Sequence, residues 1–196
     1  REFMLKVVKK VGWALESAAK ALRADREIVL TAVTNSGHAL EYASDSLKAD
    51  REVVLVAVKQ WGNALEYADD SLKADREVVL AAVTNSGALE YADASLKADR
   101  EIVLIAVTNY LDRTALKYAD ASLKADREVV LAAVTDNGGA LEYADDSLKA
   151  DREVVLAAVT DNGAALEYAS EELQQDKEMG ETRDGFSVLS DGSYNV

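Results

Sequence analysis

The chain has 196 residues, 49% of them apolar, and a net charge of −14 from 36 acidic and 22 basic side chains; it contains no cysteine and no proline. This is the composition of a folded protein rather than a disordered one. It excludes disulfides, thiolate metal sites and cysteine nucleophiles, and its negative charge argues against nucleic acid and anionic membrane surfaces as partners. The charge is unevenly spread: residues 1–38 hold seven Lys/Arg against four Asp/Glu, so the acidic excess lies beyond them. Apolar runs such as 154–159 fall far short of the ~20 residues that span a bilayer, so no direct membrane span is expected.

The opening Arg1-Glu2-Phe3-Met4-Leu5-Lys6-Val7-Val8 aligns with Arg51-Glu52-Val53-Val54-Leu55-Val56-Ala57-Val58, which places the start of the chain in the second half of a repeating unit. A block Ala-Leu-Glu-Tyr-Ala or a close variant then begins at Ala14, Ala39, Ala64, Ala88, Ala115, Ala140 and Ala165, in steps of 25, 25, 24, 27, 25 and 25 residues. A fixed period of this length marks a stacked repeat architecture, in which each unit leans on its neighbours.

Within a unit the first segment, such as 39–48, sets Ala39, Leu40, Ala43 and Leu47 at helical spacing. The second segment, such as 51–59, follows an Asp that recurs at 25, 50, 75, 99, 126, 151 and 176 and is a preferred helix N-cap. Glycine follows that segment at 12, 37, 62, 87, 138 and 163, and is expected to act as a left-handed helix stop. The intervening Val-Val-Leu-Ala-Ala-Val could be a buried strand of a leucine-rich-repeat horseshoe. The Asp cap, the Ala and Leu content, the glycine at helical distance and the missing leucine-rich pattern argue for helix instead. The expected fold is an all-α solenoid of short antiparallel helix pairs over residues 1–178, with residues 179–196 as a non-repeat tail.

The repeated Ala-Leu-Glu-Tyr-Ala, acidic stretch, Leu-Lys and Asp-Arg-Glu-Val-Val-Leu-Ala-Ala-Val with its glycine turn closely resembles the repeat called domain of unknown function 4116, from residue 1 to about 178. Such repeats occur in unicellular eukaryotes and in effectors of intracellular bacteria. The resemblance implies the helical fold and no activity for the repeat itself.

No constellation of residues points to catalysis, a cofactor or a metal, so a non-enzymatic role is expected. His38, the single histidine, reads as a solvated turn residue, since Asn63, Gly139 and Ala164 hold its position elsewhere. The tyrosine column (Tyr42, Tyr67, Tyr91, Tyr118, Tyr143, Tyr168) reads as packing between units. The arginine column (Arg26, Arg51, Arg76, Arg100, Arg127, Arg152) beside Asp and Glu columns reads as an ion-pair lattice between turns.

Differences between copies carry the candidate sites. The turns hold Trp13, His38 and Trp61, and exposed aromatic side chains there would anchor a protein partner. The turn at 110–114 is longer, lacks glycine and is followed by lysine in place of glutamate, which centres a second candidate contact on Tyr110, Leu111, Arg113 and Lys117. A third is the open face of the first helix, with Phe3 and Met4 among lysines. In the tail, Phe186-Ser187-Val188-Leu189 could pair as a short strand or dock as a peptide. Together these point to a non-catalytic scaffold or linker, a structural subunit of a larger protein assembly whose partners are other proteins. Head-to-tail contact between copies is a further mode, because the basic start complements the acidic remainder. The alternative expectation is a recognition module cut from a longer effector-type protein. The start at Arg1 fits a processed product or a piece of a longer chain, and processing would allow an organelle as its location. The compartment itself is left open.

Overall fold

In a computed structural model, the described residues are 1–109, 113–177 and 179–180. They form two compact units, Arg1–Asp112 and Arg113–Val196, and the division falls at the long turn singled out by the sequence. Among the described residues every regular element is helical. The all-helical repeat expected from the period is therefore what forms.

The long helix of each unit is the frame. In the first compact unit these are Glu2–Val8, Arg26–Asn35, Arg51–Gln60, Arg76–Asn85 and Arg100–Val107; in the second they are Arg127–Asp136 and Arg152–Asp161. The Asp caps act as expected: Asp50 accepts from the Glu52 and Val53 backbone N–H groups, and Asp25, Asp75, Asp99, Asp126 and Asp151 do the same one period away. These bonds satisfy donors that a helix start leaves open. Ile28, Val29, Ala32 and Val33 are fully buried, as are their counterparts Val53, Val54, Ala57 and Val58. The long helices thus bury one face against the neighbouring repeats of their own compact unit.

The first segment of a repeat is two short helices, not one continuous rod. Gly37–Tyr42 is a 3-10 helix, Ala43 and Ser44 are extended, and Asp45–Lys48 is a single α-helical turn. The break has a cause in the neighbouring copy. The Ser44 backbone N–H donates to the Arg23 carbonyl at 3.0 Å, and the same bond recurs from Asp69 to Lys48, Asp93 to Lys73, Asp145 to Lys124 and Ser170 to Lys149. An N–H committed to the preceding unit cannot also close an α-helical turn, so the chain extends there. Where the period drops to 24 residues the 3-10 helix shrinks to Leu89–Tyr91, and after the 27-residue step the corresponding piece, Ala115–Tyr118, is α-helical.

Gly12, Gly37, Gly62 and Gly138 do not act as left-handed stops, contrary to expectation. The residue before Gly37, Ser36 at φ −150° and ψ 112°, is extended, and Gly37 opens the 3-10 helix that follows. Glycine is needed there for proximity. A β-carbon at Gly12 would lie 2.5 Å from the Ala32 carbonyl oxygen, and Gly37, Gly62 and Gly138 face the Ala57, Ala82 and Ala158 carbonyls even more tightly. The 3-10 helix of one unit rests directly on the end of the next unit's long helix, and only a bare backbone fits. Polar side chains pin the same turns: Asn35 Oδ1 accepts from the Gly12 N–H at 2.8 Å, and Asp161 accepts from the Gly138 N–H at 2.7 Å.

Candidate functional site

The 3-10 helices of the first compact unit pack one after another and form an edge distinct from the long helices. Trp13 lies on the first of them, Gly12–Ser17, and remains 60% exposed. His38 lies on the second and Trp61 caps the third. The stacking brings His38 and Trp61 together, ring centroids 5.0 Å apart in an edge-on arrangement. Tyr42 and Tyr67 complete the group, at 6.2 and 5.8 Å from His38, and Trp61 lies 6.4 Å from Tyr67. His38, expected to be a solvated turn residue, keeps 45% of its side chain exposed but also has ring neighbours that its variable position did not imply. It is half-buried in an aromatic cluster, with Nε2 3.0 Å from Glu41 Oε2.

The signal was in the register of the copies. His38 follows Gly37 and Trp61 precedes Gly62, so the tight seat of Gly37 against Ala57 and Trp61 sets the two rings face to edge. The repeat pattern alone predicts only a packing role for Tyr42 and Tyr67. Half-buried as they are, they pack and also line the edge.

Glutamates run alongside the rings. Burial pushes the Tyr42 hydroxyl above its ordinary value, and the Glu16 and Glu41 carboxylates push it further. Tyr67 is raised for the same reasons, burial first and then Glu41 and Glu66. In the second compact unit, hydrogen bonds to Glu142 and Glu167 are the main cause of raised Tyr143 and Tyr168, and at Tyr143 Lys117 opposes the shift. The edge is thus aromatic with a negative border.

A second acidic column lies at the starts of the long helices and is already occupied. Arg26 reaches Asp50 at 2.7 Å and Glu52 at 2.5 Å, and Arg76 reaches Asp99 at 3.0 Å and Glu101 at 2.5 Å. Arg1, Arg51 and Arg127 make the same forked pairs with Asp25 and Glu27, Asp75 and Glu77, and Asp151 and Glu153. This is the inter-turn lattice expected from the sequence. The guanidinium is the main reason that Asp25, Asp50, Asp75 and Asp151 are held below the usual carboxylate range, aided by the backbone N–H groups they cap.

The other candidates belong to other elements or lie outside the described residues. Phe3 is 78% exposed and Met4 half-buried on Glu2–Val8, where Ile28 and Val29 of the next helix are fully buried. Arg113 and Lys117 are exposed in the second compact unit; the Arg113 carbonyl accepts from Asn137 Nδ2 at 2.6 Å, and Lys117 Nζ lies 5.2 Å from the Tyr118 ring centre. Tyr110, Leu111 and Phe186 lie outside the described residues. An open groove of about 380 Å³ beside Lys9, Leu30, Thr31, Thr34 and Asn35 offers one titratable side chain and no nucleophile–base pair. Among the described residues no group of three or more His, Asp or Glu is placed to hold a metal ion, and no helix is long and apolar enough to cross a membrane.

The family described as "Domain of unknown function (DUF4116)" matches residues 1–48, 50–88, 75–124, 99–149 and 151–179. The chain belongs to the DUF4116 family. Its five matched segments tile the repeats described above, so the 3-10 edge and the arginine lattice are features built on a DUF4116 frame. No curated protein and no solved structure matches this DUF4116 chain.

Proposed function

We propose that this DUF4116 chain is a non-catalytic protein-binding scaffold, a structural subunit that holds other proteins within a larger assembly. The observation that carries this reading is the aromatic edge. His38, Trp61, Tyr42 and Tyr67 gather in one cluster, and an exposed Trp13 holds the position equivalent to His38 one repeat earlier, at turns where otherwise near-identical copies differ. A frame built for stacking, with its aromatic differences at the turns of one edge, suits recognition more than chemistry. Large aromatic side chains that keep part of their surface in water are the usual anchors of protein interfaces.

The test uses residues that other copies already carry. Trp13→Ala and His38→Ala install the residue found at Ala164, and Trp61→Ser installs that of Ser36 and Ser86, so the stack is preserved. Cross-linking and co-purification from native material should recover defined proteins with the original chain and lose them with the triple variant. Recovery of the same proteins by both would overturn the reading of the edge as the contact.

A further inference from the structure

The aromatic edge also carries a charge preference, and on the reading just given it identifies the chemistry of the partner. We propose that the Trp13–His38–Trp61 edge, with Tyr42 and Tyr67, binds an extended arginine- or lysine-rich peptide segment, seating its cations over the rings and against Glu16, Glu41 and Glu66.

Three observations support this. The first is the contrast between the two acidic columns. Glu27, Glu52, Glu77, Glu101 and Glu153 are each held by an arginine of the preceding repeat. Glu16 and Glu66, among the described residues, have no lysine or arginine of the chain within ion-pair distance, and Glu41 has only His38. The chain neutralises one column itself and leaves the other facing the rings.

The second is a cation already seated on the equivalent ring. In the fifth copy lysine replaces the glutamate before the tyrosine, and Lys117 Nζ takes a place 5.2 Å from the Tyr118 ring centre. That distance is within the range of an attractive cation–π contact. A tyrosine in this setting therefore accepts an ammonium on its face. At Tyr42 and Tyr67, where glutamate precedes the ring, the partner supplies that cation on this proposal.

The third is the geometry of the cluster. The rings of His38, Trp61, Tyr42 and Tyr67 stand largely edge-to-face at 5.0–6.4 Å, so they fix one another and leave part of each surface to solvent. A rigid aromatic surface loses little side-chain entropy on binding. The Glu–Tyr pair recurs at Glu41-Tyr42, Glu66-Tyr67 and Glu90-Tyr91, once per repeat, which suits an extended basic segment that offers each repeat a cation in turn.

The probe is a fluorescein-labelled nine-residue peptide alternating arginine and glycine, with serine replacing arginine in a control, measured by fluorescence anisotropy at ~150 mM salt. Three variants of the full chain separate a specific seat from diffuse charge. Trp13→Ala/His38→Ala/Trp61→Ser removes the rings, and Glu16→Gln/Glu41→Gln/Glu66→Gln removes three edge charges. Asp45→Asn/Asp70→Asn/Asp146→Asn removes three charges from the short helices, where Asp70 and Asp146 are almost fully exposed. The original chain should bind the arginine peptide and not the serine one. Each edge variant should weaken binding by roughly tenfold, while the short-helix variant stays within about twofold. Equal weakening by the two charge variants, or no binding by the original chain, would overturn the proposal. If proteins co-purify through the aromatic edge and the arginine peptide still does not bind, the scaffold reading stands and the basic-partner inference alone is lost.

Discussion

Single residues in this chain act through the neighbouring copy more than through their own. Gly37 shows it most directly. Its place at the end of a helix is plain in the sequence, but its reason is not, because the carbonyl it must clear belongs to Ala57 in the next repeat. Gly37→Ala should destabilise the fold by about 2–3 kcal/mol, since a methyl group would be forced into backbone that cannot move aside. Gly139→Ala is the matched control: its β-carbon would meet only Asn137 Oδ1, at an ordinary 3.4 Å, and the expected change is within about 0.5 kcal/mol. Urea unfolding monitored by circular dichroism compares them, and similar losses would refute the close-approach account. His38 belongs to the same class of residue. Sequence alone shows an isolated histidine in a turn; its aromatic surroundings come from Trp61, 23 positions later, and exist only once the repeats are stacked.

At the scale of the element, local signals were legible and borrowed ones were not. The long helices could be read from their caps and apolar faces, because Asp75 and the N–H groups of Glu77 and Val78 are neighbours in the chain. The break at Ala43-Ser44 was hidden, since it depends on the Arg23 carbonyl of the preceding unit. Asp75 combines both kinds of signal. It caps its own helix, and it accepts from Arg51 Nε at 2.8 Å across one period. Asp75→Ala removes both interactions and should cost about 1–2 kcal/mol. Asp75→Asn keeps a good cap and gives up only an exposed ion pair, so its cost should be a few tenths of a kcal/mol. Thermal melts of the two variants check this ordering. An Asn variant as weak as the Ala variant would mean that the arginine lattice, not capping, dominates at this position.

For the whole molecule, acidity acts in two opposing directions, and the balance between them sets the pH profile. At neutral pH the net charge of −14 resists compaction, and that repulsion fades towards the isoelectric point near 4.5. Against this stand the depressed carboxyls. Asp25, Asp50, Asp75 and Asp151 are lowered chiefly by arginine, and Asp69, Asp93, Asp120 and Asp145 chiefly by the serine hydroxyl two residues on. At Asp99 burial pulls upward but is outweighed by the Ile102 N–H and Arg76. A group whose pKa is lower in the folded state contributes its full stability above the unfolded value, roughly 3.9, and loses it as pH falls through the folded one. Relief of repulsion therefore comes first on acidification, and loss of caps and lattice follows at lower pH. The melting temperature should rise slightly from pH 7 to about 5 and drop steeply below about 4. Because the same carboxyls recur in every repeat, the drop should affect both compact units over one narrow range of pH. Melting curves at unit pH steps give the profile, and a melting temperature that holds or rises down to pH ~2.5 would show that the capping aspartates contribute little to stability.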